Sequence, residues 1–216
     1  MWHLREPSPD AVRAFLDRQA AEPLSYPSVG ATRREPVPAP PGFDLDHNRV
    51  RLGEGRAVFE AARAALERWE MFPAPWVRIE PGFRVDAEAG PPPIRQGTVV
   101  AVVARALGLW WPSAARVIYT IDETEPLRRF GFAYGTLPGH VERGEKRFSV
   151  ELRPDGSVWY DILAFSTPRY WLVRLGYPLA RRLQRRFVRD SLAAMVRAAR
   201  PPGPGAGSGP AGPPRP

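Results

Sequence analysis

The sequence predicts an α+β fold in which a curved antiparallel sheet wraps around one long helix near the C-terminus. Three observations carry that reading. Between Arg128 and Phe165 side chains alternate at strand spacing, Gly55 to Glu70 and Pro178 to Ala199 repeat apolar residues at helical spacing, and the order is strand, helix, several strands, long helix. A sheet with one apolar face and a helix with one apolar stripe bury both by packing together, and curvature leaves a pocket between them.

The elements follow in order. Residues 1–45 form an N-terminal extension in which Pro9 to Ala20 reads as a helix: Val12, Phe15, Leu16 and Gln19 share a face, Ser8 caps it and Pro9 is its first residue. The run Pro36 to Pro41 is an extended connector. The main domain spans 46–199. It opens with a strand, Asn48 to Leu52, and a helix from Gly55 to Glu70 with Val58, Phe59, Ala62, Leu66 and Trp69 on one stripe. Strands rich in Val, Ile, Phe and Tyr follow at Trp76–Glu80, Gly97–Ala104, Arg116–Asp122 and Arg128–Thr136. Glu145 to Arg153 alternates most cleanly, and Asp155-Gly156 supplies a tight turn into Val158 to Phe165. Thr167 caps a short helix that starts at Pro168 and stops at Gly176, and Pro178 opens the long one. The tail, 200–216, reads as disordered, because seven prolines and five glycines fill 12 of the 16 positions from Pro201.

Composition bounds the function classes. Length is that of one domain, and 44% hydrophobic with 25% charged residues is an ordinary globular balance. With no cysteine there is no disulfide framework, thiolate zinc site or cysteine nucleophile, which fits a reducing compartment. MWHLREP at the start lacks the pattern of a secretory leader, and the longest apolar stretch, Thr98 to Leu109, is interrupted by Arg105, so a cytoplasmic location is expected. The net charge of +8 is local: nine arginines and one acid lie between Arg169 and Arg200, and the rest balances at 22 basic against 22 acidic residues. Arginine makes up 30 of the 31 basic residues, as a coding bias favouring Ala, Gly and Pro would also produce.

Four groups of residues carry possible chemistry. Phe130, Phe132, Tyr134 and Thr136 share one strand face and Gly131, Ala133 and Gly135 the other, so one side can line a pocket while the other admits a closely packed neighbour. Pro138-Gly139 favours a turn with glycine at positive φ, followed by His140, Glu142 and Glu145, a cluster suited to proton transfer or to a solvated turn. A two-residue loop at Asp155-Gly156 places Trp159, Asp161 and Leu163 opposite Leu152, Val150 and Phe148, turning Asp161 inward; a hairpin slipped by one residue turns it away. Asp190 falls in the apolar arc of the last helix with Leu179, Leu183, Phe187 and Ala194, and can instead pair with Arg186. Arg181, Arg182, Arg185, Arg186 and Arg189 occupy an arc of about 140° on that helix.

Other signatures are absent. There is no GxSxG elbow, P-loop or dinucleotide loop, and no cofactor is expected. No metal is expected either, since the other imidazoles are His3 and His47. The arginine arc would suit an anionic membrane surface, but lacks the interleaved aromatics of a single-strand binder, so nucleic acid is not the expected partner.

The wording of several segments is itself informative. LSYPSVGATR at Leu24–Arg33, RVRLGEGRAVFEAARAAL at Arg49–Leu66, FGFAYGTLPGHVERGE at Phe130–Glu145 and AFSTPRYWLVRLGYPLARRLQRR at Ala164–Arg186 resemble the uncharacterised protein family 0548, a family of unknown function. That resemblance covers roughly residues 12 to 199. It implies a relation to the helix-grip proteins, which include pollen allergens, START domains and polyketide cyclases. The expectation is therefore a helix-grip domain that binds a small, largely apolar molecule. Phe130, Phe132, Trp159 and Leu163 would form the walls, and Tyr134 and Asp161 would orient the ligand. The rival expectations are a cyclase- or hydrolase-like enzyme using His140, Glu142 or Asp161 with Asp190, and an adaptor acting through the arginine face.

Overall fold

The computed structural model describes residues 2–72, 75–81, 93–125, 127–169 and 177–200. Its elements are α1 (Pro9–Gln19), a 3-10 turn (Ala31–Arg33), β1 (Asp44–Glu54), α2 (Gly55–Glu67), β2 (Val77–Pro81), β3 (Val99–Ala106), β4 (Leu109–Glu123), β5 (Arg128–Thr136), β6 (Glu142–Leu152), β7 (Ser157–Pro168) and α3 (Tyr177–Ala198). The seven strands form one antiparallel sheet in the order β1-β7-β6-β5-β4-β3-β2. With α3 laid across its concave face, this is the helix-grip architecture.

Strand alternation gives the sheet two different faces. On the concave side Phe130, Phe132 and Tyr134 of β5, Phe148 and Val150 of β6, and Val158, Tyr160 and Ile162 of β7 meet Phe59, Ala62 and Leu66 of α2 and Phe187 and Met195 of α3 in the main core. On the convex side Ala101, Val103, Ala114 and Leu137 are covered by Val12 and Leu16 of α1. Ser8 caps α1, its Oγ accepting from Ala11 N at 3.2 Å. The small side chains of β5 admit the covering segment. A Cβ on Gly135 would meet the Tyr26 hydroxyl, and one on Gly139 the Phe15 ring.

Several expectations are corrected. The β6–β7 loop has three residues, Pro154 to Gly156, closed by Arg153 N–H donating to Ser157 O at 3.0 Å, so Leu152 pairs with Val158 and Val150 with Tyr160. Proline explains the slip: a two-residue loop needs an N–H at position 154 for its closing pair, and Pro154 has none. Gly156 alone takes the left-handed turn, φ 81°. Trp159, Asp161 and Leu163 thereby move to the convex face. Gly139 serves close packing against α1, and its φ is not among the positive ones. α2 ends at Glu67 because Trp69 turns left-handed, φ 58°, and packs its ring 4.8 Å from Phe132. β7 runs through Thr167 and Pro168, where a helix start was expected. The rest of that expected helix, and the tail from Pro201, lie outside the described residues.

Candidate functional site

Between the concave face and α3 lies a cavity of about 320 Å³. It exists because β7 and β3 present small side chains, Ala164, Ala104 and Ala106, where β5 and β6 farther along present rings. Val102, Trp111, Leu183 and Phe187 supply most of the apolar wall. At the mouth stand Leu107, 69% exposed on the β3–β4 turn, and Leu179 of α3.

A few polar groups converge on this apolar space. Ladder register places Asp46, Ala164, Lys146, Tyr134 and Val117 in one row across β1, β7, β6, β5 and β4. Tyr134 and Lys146 are therefore cross-strand neighbours, and both line the cavity. Burial pushes the Tyr134 phenol upward, as does the charge of Glu142. Burial pushes the Lys146 amine below its ordinary value, although Glu142 and Asp46 pull the other way. By accessible surface Lys146 is only half-buried, because the part left open faces the cavity. Among the described residues its ammonium forms no hydrogen bond or ion pair, and it lies 4.6 Å from the centre of the Phe187 ring. The nearby acids are engaged elsewhere: both oxygens of Asp46 accept from Arg181 at 2.5 and 2.7 Å, and Glu142 Oε1 accepts from Gln184 at 2.5 Å.

His140 also lines the cavity and is buried. Burial, reinforced by Lys146, pushes its imidazole down to about 3. The neutral ring accepts from Glu142 N–H at Nδ1 over 3.0 Å, so it carries its proton on Nε2.

The structure places the expected site residues unequally. Tyr134, His140 and Glu142 line the cavity together. Phe130 and Phe132 share the concave face but lie under α2 and Trp69, and do not reach the cavity. Asp161 is buried, yet on the convex face, where its two oxygens meet His47 Nε2 at 2.5 Å and Arg147 at 3.4 Å. Trp159 is on that face too, with the guanidinium groups of Arg49 and Arg153 at 4.9 and 5.3 Å from the centre of its ring. Asp190 sits at the edge of α3, accepting from Trp76 Nε1 at 3.1 Å and from Arg189 at 3.0 Å, with Arg186 at 3.5 Å. Of the arginine arc, Arg181 turns to Asp46 and Arg186 lies over the Trp76 ring, while Arg182 and Arg185 are exposed. Sequence reading missed Lys146, although its rarity was a signal: it is the one lysine in the chain.

The last expected residue, Glu145, borders the cavity, but its carboxylate is bonded at the back of the sheet. Its carboxylate accepts from the Tyr26 hydroxyl at 2.8 Å, Gly30 N–H at 2.7 Å, Thr32 N–H at 2.9 Å and the Thr32 hydroxyl. The Thr32 hydroxyl also meets that of Tyr119, whose phenol burial pushes up to about 12. Arg147, two residues on, donates to Thr32 O at 2.8 Å. The segments LSYPSVGATR and GHVERGE are thus halves of one buried contact. No group of three or more histidines and acids among the described residues is placed to hold a metal, and no helix among them is long and apolar enough to cross a membrane.

Comparison with known proteins agrees with the resemblance in these segments. The family described as "Domain of unknown function (DUF1990)" matches residues 25–194. A UPF0548 protein of Deinococcus radiodurans is 39% identical over 209 residues, covering 92% of this chain and 99% of the relative. The chain belongs to the UPF0548 family. Its UPF0548 relatives include a Dictyostelium discoideum protein, 35% identical over 92% of this chain and 95% of its own, and an Arabidopsis thaliana protein, 34% identical over 72% and 73%. Among solved structures, TTHA0849 of Thermus thermophilus superposes with a TM-score of 0.48 at 14% identity, over 72% of this chain and 97% of that one. Ara h 8.0201 superposes with a TM-score of 0.41 at 13% identity, over 72% and 99%.

Proposed function

We propose that this UPF0548 protein binds a small, largely apolar molecule between the sheet and α3. The observation that supports this reading is the cavity itself: about 320 Å³ of space walled in part by Val102, Ala104, Trp111, Leu183 and Phe187, with Tyr134, His140, Glu142, Lys146 and Gln184 among its polar points. That size and that mixture of an apolar wall with a few converging polar groups are the ordinary features of a small-molecule site. Removing apolar ligand surface from water at roughly 25 cal/mol per Å² supplies the affinity, and the polar points select orientation. Asp161 has no part in this reading, because it faces the other side of the sheet.

The test is titration with N-phenyl-1-naphthylamine, an uncharged apolar fluorophore. Saturable one-to-one binding is expected. Ala164→Trp, which fills the cavity beside Lys146, should weaken it at least tenfold with the melting temperature kept within a few degrees. Absence of saturable binding, or equal binding by a folded Ala164→Trp protein, would remove the reading.

A further inference from the structure

The sole lysine of the chain is also, among the described residues, the sole lysine or arginine side chain lining the cavity. Its place is set by the alternation of β6: Glu145 and Arg147 point to the convex face and are bonded there, so Lys146 between them points into the cavity. Above it lies the Phe187 ring, beside it the methyl of Ala164, and across the ladder the Tyr134 hydroxyl, which has no hydrogen-bond partner among the described residues.

Lys146 forms no ion pair among the described residues, because the nearby carboxylates of Asp46 and Glu142 are bonded to Arg181 and Gln184. An ammonium so placed on a mostly apolar wall is relieved by an anion from outside or by loss of its proton. The lining favours the second. Glu142 stands on the same cavity wall and would repel an incoming carboxylate, whereas an uncharged carbonyl meets no such barrier. Burial shifts Lys146 toward the free amine, which is the nucleophilic form.

We propose that Lys146 is the reactive amine of this cavity and takes an apolar aldehyde or ketone as a reversible Schiff base. This rests on the reading of the cavity as a ligand site. The Nζ lone pair forms a bond to the carbonyl carbon while the C=O π pair moves to oxygen. That oxygen gains a proton, and Nζ gives one up, forming the carbinolamine. The C–O bond then breaks, the nitrogen lone pair forms C=N, the oxygen takes up a second proton and leaves as water, and the nitrogen releases its remaining proton to restore the balance. Amine and carbonyl thus give imine and water, with no oxidant or reductant. Tyr134, the cross-strand neighbour of Lys146, and His140 with its proton on Nε2 both line the cavity and would supply the proton to the carbonyl oxygen.

The experiment treats the full chain with octanal and sodium cyanoborohydride at pH 7, then locates the reduced adduct by peptide mass spectrometry. One octyl group on Lys146 is expected, formed at least tenfold faster than at the same residue in urea-unfolded chain. Tyr134→Phe should slow it several-fold, and Ala164→Trp, or an excess of N-phenyl-1-naphthylamine on the unmodified chain, should suppress it. Labelling no faster in the folded protein, or untouched by the competing fluorophore, overturns the inference. Tighter binding of octanoate than of octanal would also overturn it, in favour of simple charge pairing. If the fluorophore binds but Lys146 is not labelled, the Schiff base falls and the cavity reading stands; if neither occurs, both fall.

Discussion

The two faces of β6 treat charge in opposite ways. On the convex face Glu145 is held by four donors and Arg147 by the Thr32 carbonyl and Asp161, and the N-terminal segment is fastened by those bonds. Among the described residues the buried atoms left without a partner include Arg147 Nε and Ser149 Oγ, also on this face. On the concave face Lys146 and His140 face a mostly apolar space and are both driven toward their neutral forms. A buried charge is tolerated where backbone and hydroxyl groups solvate it, and is lost where hydrocarbon surrounds it. Both faces thus keep polar atoms without a partner among the described residues, but only on the concave side does open space lie beside them, and that space is where the proposed ligand would sit.

The largest expected effect is acid-driven and belongs to the concave side. His140 titrates near 6.5 when unfolded and near 3 when folded, so the native state binds fewer protons between those values. Its contribution is complete above pH 6.5 and is lost as pH falls toward 3, in total on the order of 5 kcal/mol. His140→Gln should flatten that part of the stability curve in urea denaturation. An unchanged slope between pH 6.5 and 3 would show that the imidazole is hydrated.

Next comes the convex side, where Glu145→Ala leaves the Tyr26 hydroxyl and the donors of Gly30 and Thr32 without their acceptor. The expected loss is about 4 kcal/mol, a melting temperature lower by about 10 °C. Protease should then cut first within residues 20–40. A loss below about 1 kcal/mol would mean that the N-terminal segment is not held by this carboxylate.

The smallest effect is the inverse substitution on the other face. Lys146→Met removes an amine with no bonded partner among the described residues and keeps its length, so stability at pH 7 should change by less than about 1 kcal/mol, or rise. The unmodified protein should also gain stability as pH rises toward the ordinary lysine range, because its folded amine is depressed. Lys146→Met should lack that gain. A marked destabilisation at neutral pH would place a hidden counter-charge beside Lys146.

Much of the architecture was legible because it depends on local periodicity. The apolar stripe of α2, the limits of β5 and the Ser8-Pro9 start of α1 follow from spacing and from residues with restricted backbones. The candidate site was legible only in part. Tyr134 and His140 were singled out from their own neighbours, but whether Asp161 joins them depends on a register that shifts every side chain of β7 with a single residue in the turn. Pro154 carried that information in its missing N–H.

The sequence by itself determined which residues alternate, where α1 and α2 begin, and that one end of the chain concentrates arginine, since these depend on neighbours within a few positions. Only the tertiary structure decided which face each alternation presents. It brought Tyr26, Gly30 and Thr32 to Glu145 across more than a hundred residues, and gave Lys146 no such partner among the described residues. The physical reason is that solvation of a buried charge is a property of what packs against it, and packing is settled between segments far apart in the chain.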